Sequence, residues 1–352
     1  MRRAFWLLFL GLVAAAGWLA ASLYLPYQAF PAGGVYVDIP HGASCRTISR
    51  ILEDQGVVRN RWSFEALSRA HGHRTLEAGE YFFDHPVTAF QVFDTLAEGC
   101  VYVRELLIPE GYSMFDIADL VAQQGFTTRE DFLAAAADPA AVLDIAPHAR
   151  SLEGFLFPAT YEFPRHPSAK DMTAAMVKRF REDWATIVAG NGAGAAQSKP
   201  DGEPKMPLVQ AITLASLVER ETPKAEERPL VAGVFTNRLH EGVPLQCDPT
   251  VVYAMELAGR YGGTLEASDL HFNSPYNTYL HTGLPPGPIA NPGDASLRAA
   301  LAPQPTDYLY FVANTEGGHF FGKTLAEHNH NVELYRKRLA EEKRGNAAPR
   351  SP

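Results

Sequence analysis

The chain opens with MRRAFWLLFLGLVAAAGWLAASLYL, and no other stretch limits its folding as strongly. After Arg2 and Arg3, about 22 residues from Ala4 to Leu25 carry no charge; as a helix they rise roughly 33 Å, enough to cross the hydrocarbon core of a bilayer. We therefore expect a membrane anchor over residues 4–25. Two arginines precede it and Pro26 to Ile39 contain no basic residue, so the charge bias assigns residues 1–3 to the cytoplasm and everything downstream to the outside. A cleaved signal peptide is the competing reading. Its apolar region is normally about 7–15 residues, shorter than this run, and the small residues near Ala20 to Ser22 make a weak cleavage site.

The remainder of the 352 residues, 46% hydrophobic overall, is long enough to bury a sizeable core in more than one domain. The net charge of -9 is spread without acidic or basic blocks, and nucleic acid is not expected as a partner. Export would make Cys45, Cys100 and Cys247 candidates for one disulfide and one leftover thiol, with the pairing open. Neither the cysteines nor His319, His328 and His330 follow a metal-site spacing, so neither metal nor cofactor is expected.

One pattern occurs twice, 69 residues apart: VDIPHGASCRTISRILEDQGV (Val37 to Val57) and LLIPEGYSMFDIADLVAQQGF (Leu106 to Phe126). Ile39/Ile108, Pro40/Pro109, Gly42/Gly111, Ser44/Ser113, Ile48/Ile117, Gln55/Gln124 and Gly56/Gly125 correspond. Each copy reads as a short strand, a Pro-x-Gly turn, a Ser N-cap, an amphipathic helix and a terminal Gly. This opening, with a plausible closing strand in LEAGEYFF, resembles LysM modules, small domains that bind N-acetylglucosamine-containing glycans; a repeated packing unit that positions something else is the alternative. The expected class is α+β: an N-terminal transmembrane helix, a tether over 26–36, a small LysM-like β/α subdomain over 37–100, and a mixed α/β catalytic domain over 101–338. A Gly-, Ala-, Ser- and Pro-rich loop is expected at about 186–205 and a frayed tail over 339–352.

In LASLVERETP (Leu214 to Pro223) an apolar helical pattern runs into Glu219, Arg220 and Glu221 and stops at a proline. Leu208, Ala211/Ile212, Ala215 and Glu219 share a face, so Glu219 lies on the apolar stripe, near a helix C-terminus. Burial and the helix dipole both raise the pKa of a carboxyl group there, as a general acid requires. An ordinary ion pair with Arg220, Arg228 or Arg238 is the competing reading. Glu221 points about 200° away around the helix and is expected to be a supporting or structural residue.

LQCDPTVVYAM, NSPYNTYLHTGLPPGPIANPG and YLYFVANTEGGHFFGKTLAEHN concentrate amides, hydroxyls and aromatics in Pro/Gly-framed loops, the equipment of a sugar site. Together with LASLVERET and SLEGFLFPATY, in this order and spacing, they resemble the endolytic murein transglycosylase family from about Val37 to Arg338. The resemblance implies a bacterial inner-membrane, single-pass protein with its catalytic domain in the periplasm, cutting nascent peptidoglycan glycan strands beside penicillin-binding proteins. It places the catalytic acid on Glu219. Gln246, Asp248 and Thr250, with Asn277 and Tyr279 in YNTY, are the candidate substrate-binding residues; Asp248 is also a candidate helix cap. The implied reaction breaks the β-1,4 bond between N-acetylmuramic acid and N-acetylglucosamine and leaves a 1,6-anhydro end. A hydrolytic muramidase and a non-catalytic membrane-tethered glycan-binding scaffold are the alternatives. Ala159 stands where the family usually has Asp in FPDTY, and Cys247 where Ser is usual in QSDPT.

Overall fold

The computed structural model describes residues 2–72, 74–190 and 206–347. The chain divides into two compact units, Met1–Arg104 and Glu105–Pro352. Mixed helix and strand, as expected, runs through both.

The first unit begins with helix α1 (Arg2–Tyr24). Its stretch Phe5–Tyr24 is long and apolar enough to cross a membrane, and nearly all of it is uncovered by protein. Strand β1 (Val35–Ile39) follows, then α2 (Cys45–Asp54), α3 (Arg61–Ala70), β2 (Gly79–Phe83) and α4 (Ala89–Glu98). β1 and β2 pair antiparallel, Val37 opposite Tyr81, and alternate residues Val37, Ile39, Tyr81 and Phe83 enter a core shared with Leu52, Phe64 and Phe93. Ser44, Asn60 and Thr88 cap the three helices by accepting hydrogen bonds from backbone N–H groups of the first turn.

Residues 26–36 are folded into this unit rather than forming a free tether. Tyr27 exchanges backbone hydrogen bonds with Val87, Ala29 N–H donates to Gly56 O, and Phe30 is buried. The end of α1 is held as well: Ser22 is buried, Leu23 packs on the core and the Tyr24 ring lies 4.9 Å from that of Phe90. The three cysteines, candidates for one disulfide, are free thiols.

The second unit opens with β3 (Arg104–Leu107), α5 (Met114–Gln123), α6 (Arg129–Ala137) and β4 (Thr160–Phe163), and β3 pairs with β4. This is the strand–helix–helix–strand order of β1, α2, α3 and β2, so the repeat extends beyond the opening visible in sequence. The two copies keep the same offset: α2 and α5 have equal length, Ser44 and Ser113 are both N-caps, and Gly42 and Gly111 have φ of 73° and 78°. A left-handed turn at these positions suits glycine because it has no Cβ.

Helices α7 (Ala169–Gly190), α8 (Leu208–Glu221), α9 (Arg228–Glu241), α10 (Asp248–Leu257) and α11 (Asp294–Leu301) follow, then β5 (Tyr310–Ala313), β6 (His319–Gly322) and α12 (Leu325–Ala347). α7 carries helix to Gly190, into the start of the expected loop; 191–205 lie outside the described residues. α12 likewise continues past 338 to Ala347. β5 is one arm of a half-buried antiparallel hairpin with β6. α8 is the centre of the unit: every residue from Ala211 to Val218 is buried, so the helix is buried all round and not only along the apolar stripe read from sequence.

The motif SLEGFLF turns at Gly154, whose φ is 85° and whose missing Cβ would lie 2.5 Å from Pro288 Cγ and 2.7 Å from Ile212 Cγ2. Gly154→Ala should therefore cost about 2 kcal/mol or more. Gly125→Ala, also at positive φ but facing open space, should cost only the left-handed strain of about 1 kcal/mol. Thermal or urea unfolding of both variants checks this, and equal losses would contradict it.

Candidate active site

The buried helix α8 ends at Glu221, where Thr222 turns to extended backbone ahead of Pro223. Glu219 lies in its last turn with only 5% of its side chain exposed. Oε1 accepts from Arg228 Nη2 at 2.8 Å, and Oε2 accepts from the backbone N–H of Gly293 at 3.0 Å. Burial pushes the Glu219 carboxyl above its ordinary pKa and the negative Glu110 adds to this; Gly293 N–H, the Ser296 hydroxyl and the Arg228 cation act the other way. Of the three arginines that could pair with Glu219, Arg228 does. Arg220 donates to Gly111 O at 2.9 Å, and Arg238 binds the carbonyls of Leu245 and Leu309.

The wall around Glu219 comes from the second copy of the repeated module. Its turn, Pro109-Glu110-Gly111-Tyr112, comes so close that a Cβ on Gly111 would sit 3.3 Å from Glu219 Cγ. Glu110 Oε2 lies 3.4 Å from both Nη1 and Nη2 of Arg228. The IANPG loop closes the other side. Asn291 exchanges backbone hydrogen bonds with this turn, accepting from Gly111 N–H and donating to Tyr112 O. Its side chain accepts from the N–H groups of Gly154 and Leu156, and donates to Tyr112 O and to Glu153 Oε1. Glu153 in turn accepts from Met114 N–H at the start of α5. Ile289 N–H donates to Ser216 Oγ, tying the same loop to α8.

Glu221 belongs to a different set of neighbours. Burial raises its pKa to about 7, with Cys247, Asp248 and Arg238 as its polar surroundings. The candidate binding residues gather on this side, and they divide in two. Gln246 and Asp248 are exposed and Tyr279 is half-buried; the Tyr279 hydroxyl donates to Asp248 Oδ1 at 2.5 Å. Gln246 has φ of 51°, the one positive value among described non-glycine residues. Thr250 and Asn277 are wholly buried. Thr250 bonds Cys247 O and Thr278, while Asn277 binds the carbonyls of Leu270 and Phe272 and the N–H of Tyr279. These two shape their loops and have no face for a ligand. The cap expected at Asp248 falls instead to Cys247, without a side-chain hydrogen bond, because a thiol is a weak acceptor.

Glu110, Glu153, Asn291, Gly293 and Ser296 also meet at this site, although no local sequence pattern marks most of them. Glu110 had one available signal: the matching position of the first copy is His41. His319 forms a 2.7 Å pair with Glu227, and no cluster fit for a metal occurs among the described residues. A cavity of about 670 Å³ lies at the other end of α8, lined by His148, Gln210, Thr213 and His240, and contains none of the candidate residues. A groove of about 310 Å³ runs beside the site between Tyr112, Asp116, Gln123 and Arg220.

Burial lifts the Glu153 carboxyl to about 8, opposed by hydrogen bonds from Met114 N–H and Tyr253, and lifts Glu221 to about 7. Both folded-state values lie above the ordinary 4.5. The stability they contribute is thus complete below about 4.5 and lost as pH rises through about 7 and about 8. Unfolding free energy from urea titrations should fall between about pH 5 and 8, and Glu153→Gln should flatten that slope. An unchanged slope in the variant would contradict the assignment.

Residues 37–334 match the YceG-like family. The endolytic murein transglycosylase of Bacillus subtilis (strain 168) is 33% identical over 333 residues, covering 89% of this chain and 88% of its own. That of Streptococcus pneumoniae serotype 2 is 31% identical over 363 residues; the match takes in 93% of this chain and 63% of that longer protein. The crystal structure of a yceG-like protein from Listeria monocytogenes is 36% identical, with a TM-score of 0.54, over 84% of this chain and 98% of that one. On these matches the chain belongs to the YceG-like family, that of the endolytic murein transglycosylases.

Proposed function

We propose that this protein is an endolytic peptidoglycan lytic transglycosylase with Glu219 as its acid and base. The observation that carries this reading is a buried carboxyl group at the end of a core helix, with its pKa raised, in a chain of this family. Glu219 protonates the glycosidic oxygen of the β-1,4 bond between N-acetylmuramic acid and N-acetylglucosamine. The substrate's acetamido group stabilises the developing oxocarbenium charge. The carboxylate left behind removes the proton of the muramic acid C6 hydroxyl, which closes on C1 as a 1,6-anhydro ring. One group serves both steps, so the paired carboxylates of ordinary glycosidases are not needed. A hydrolytic muramidase would need a second carboxyl group, Glu221 or Asp248, to activate water; both sit among the Cys247 and Tyr279 partners, apart from those of Glu219, which favours the transglycosylase.

In this reading α1 is an uncleaved anchor with its N-terminus in the cytoplasm, and both units lie in the periplasm. The first unit acts as a LysM-like glycan module, for which its strand–helix–helix–strand order is the support. Cleavage then falls on nascent strands close to the membrane, and penicillin-binding proteins are the expected neighbours.

Glu219→Gln keeps the shape but not the transferable proton. Cleavage should fall by at least about 10²–10⁴ with the fold intact, and mass spectrometry of wild-type digests should show anhydro ends. Reducing ends would identify a hydrolase; more than a tenth of wild-type activity in the folded variant would remove Glu219 from the mechanism. The protein should also stay with membranes through high-salt washing, since burial of apolar surface is insensitive to salt. A soluble form starting near residue 22 would identify a signal peptide.

A further inference from the structure

We propose that Glu110 is a positioning residue for this reaction: it divides the Arg228 guanidinium between two carboxyl groups, so that Glu219 keeps its transferable proton. The inference rests on Glu219 being the acid. A buried carboxyl group paired with a single arginine is ordinarily driven to the charged form, which would leave nothing to donate. Here Arg228, with 8% of its side chain exposed, meets two carboxyl groups. Glu219 Oε1 lies 2.8 Å from Nη2, while Glu110 Oε2 reaches both terminal nitrogens at 3.4 Å. Arg228 Nε has no hydrogen-bond partner among the described residues. With Glu110 ionised, the trio is neutral when Glu219 is protonated and carries one negative charge when it is not. Glu110 is itself half exposed, so solvent screens part of its charge, but at the buried Glu219–Arg228 end the neutral state is favoured.

The placement of Glu110 is built. Pro109 precedes it and Gly111 follows at positive φ. Its carboxyl group fills the space where Gly293 lacks a Cβ, which would come 2.0 Å from Glu110 Oε1; Gly293 also supplies the N–H bound to Glu219. The same turn in the first copy has His41, exposed, and beside it Gly42 has nothing within 4 Å. Glu110 thus occurs in the copy whose turn faces the acid. The other groups near Glu219 leave this balance to Glu110. Ser296 on α11 is neutral, Asp294 and Arg298 pair with each other at 2.6 Å, and Arg220 on α8 donates to Gly111 O. The upward push of Glu110 on the Glu219 pKa has the same sign.

The test is the pH profile of glycan cleavage by full-length Glu110→Gln in detergent, on purified uncrosslinked glycan strands, with folding checked by circular dichroism. Neutral Gln leaves the Arg228 charge to Glu219, which then loses its proton at lower pH. The alkaline limb of kcat should move down by up to about one unit, costing up to roughly tenfold at pH values above the wild-type limb. The rate on the acid side should stay within a few-fold of wild type, KM should be little changed, and Glu110→Asp should restore part of the shift. A uniform loss at all pH values, or an unshifted limb, overturns the proposal. If Glu219→Gln is inactive and the Glu110→Gln limb is unshifted, this inference alone fails; if Glu219→Gln remains active, the underlying reading of the site fails.

Discussion

The side chain of Asn291 is the joint on which the second unit depends. Its oxygen accepts from Gly154 and Leu156, and its nitrogen donates to Tyr112 and Glu153, with no exposed surface. Three segments remote in sequence, the module turn, the SLEGFLF bend and the IANPG loop, are thereby held at one point. Buried amides of this kind are stabilising only when fully matched, because each unpaired N–H or C=O would lose its hydration without replacement. Matching also confers precision. Gly293 lies two residues beyond Asn291, so the N–H that it offers Glu219 is positioned by the same joint that closes the core.

The two copies of the strand–helix–helix–strand module show how one local solution serves two ends. Both preserve the Ser cap, the left-handed glycine and the ten-residue helix, the features that make the module fold. They differ at the turn. In the first copy it is open to solvent; in the second it packs against Glu219 and Arg220. That difference is a matter of surroundings, since the backbone conformation is the same in both.

This explains which features were legible beforehand. The repeat, the apolar first helix and the end of α8 follow from periodicity, caps and proline, all local signals, and the structure has them. Glu219 was visible as a carboxyl group on an apolar face. Asn291, Glu153 and Glu110 were not, because their roles arise from contacts with residues 39 to 179 positions away and their local context is that of ordinary loops. Thr250 and Asn277 illustrate the opposite error. Hydroxyl and amide groups in Pro/Gly-rich loops suit a sugar, but they suit the loop's own unpaired backbone groups equally well, and burial gives them to the loop. The region after Pro26 was read as a tether for lack of pattern, although Tyr27 and Ala29 each join the fold through backbone bonds that leave no mark on the sequence.

A carboxyl group at the end of a buried helix is electrostatically awkward, and the surroundings of Glu219 show how that awkwardness is held in balance. Burial and Glu110 oppose ionisation, as the end of a helix does in general; Gly293 N–H, Ser296 and Arg228 favour it. A fully compensated site would hold a permanent carboxylate, and an uncompensated one an acid unable to release its proton. A group that first donates and then recovers a proton must reach both forms at modest cost. Opposing contacts provide this, with burial the largest of them. In the proposed reaction Arg228, taken alone a structural ion-pair partner, enters this balance because Glu110 lies beside it.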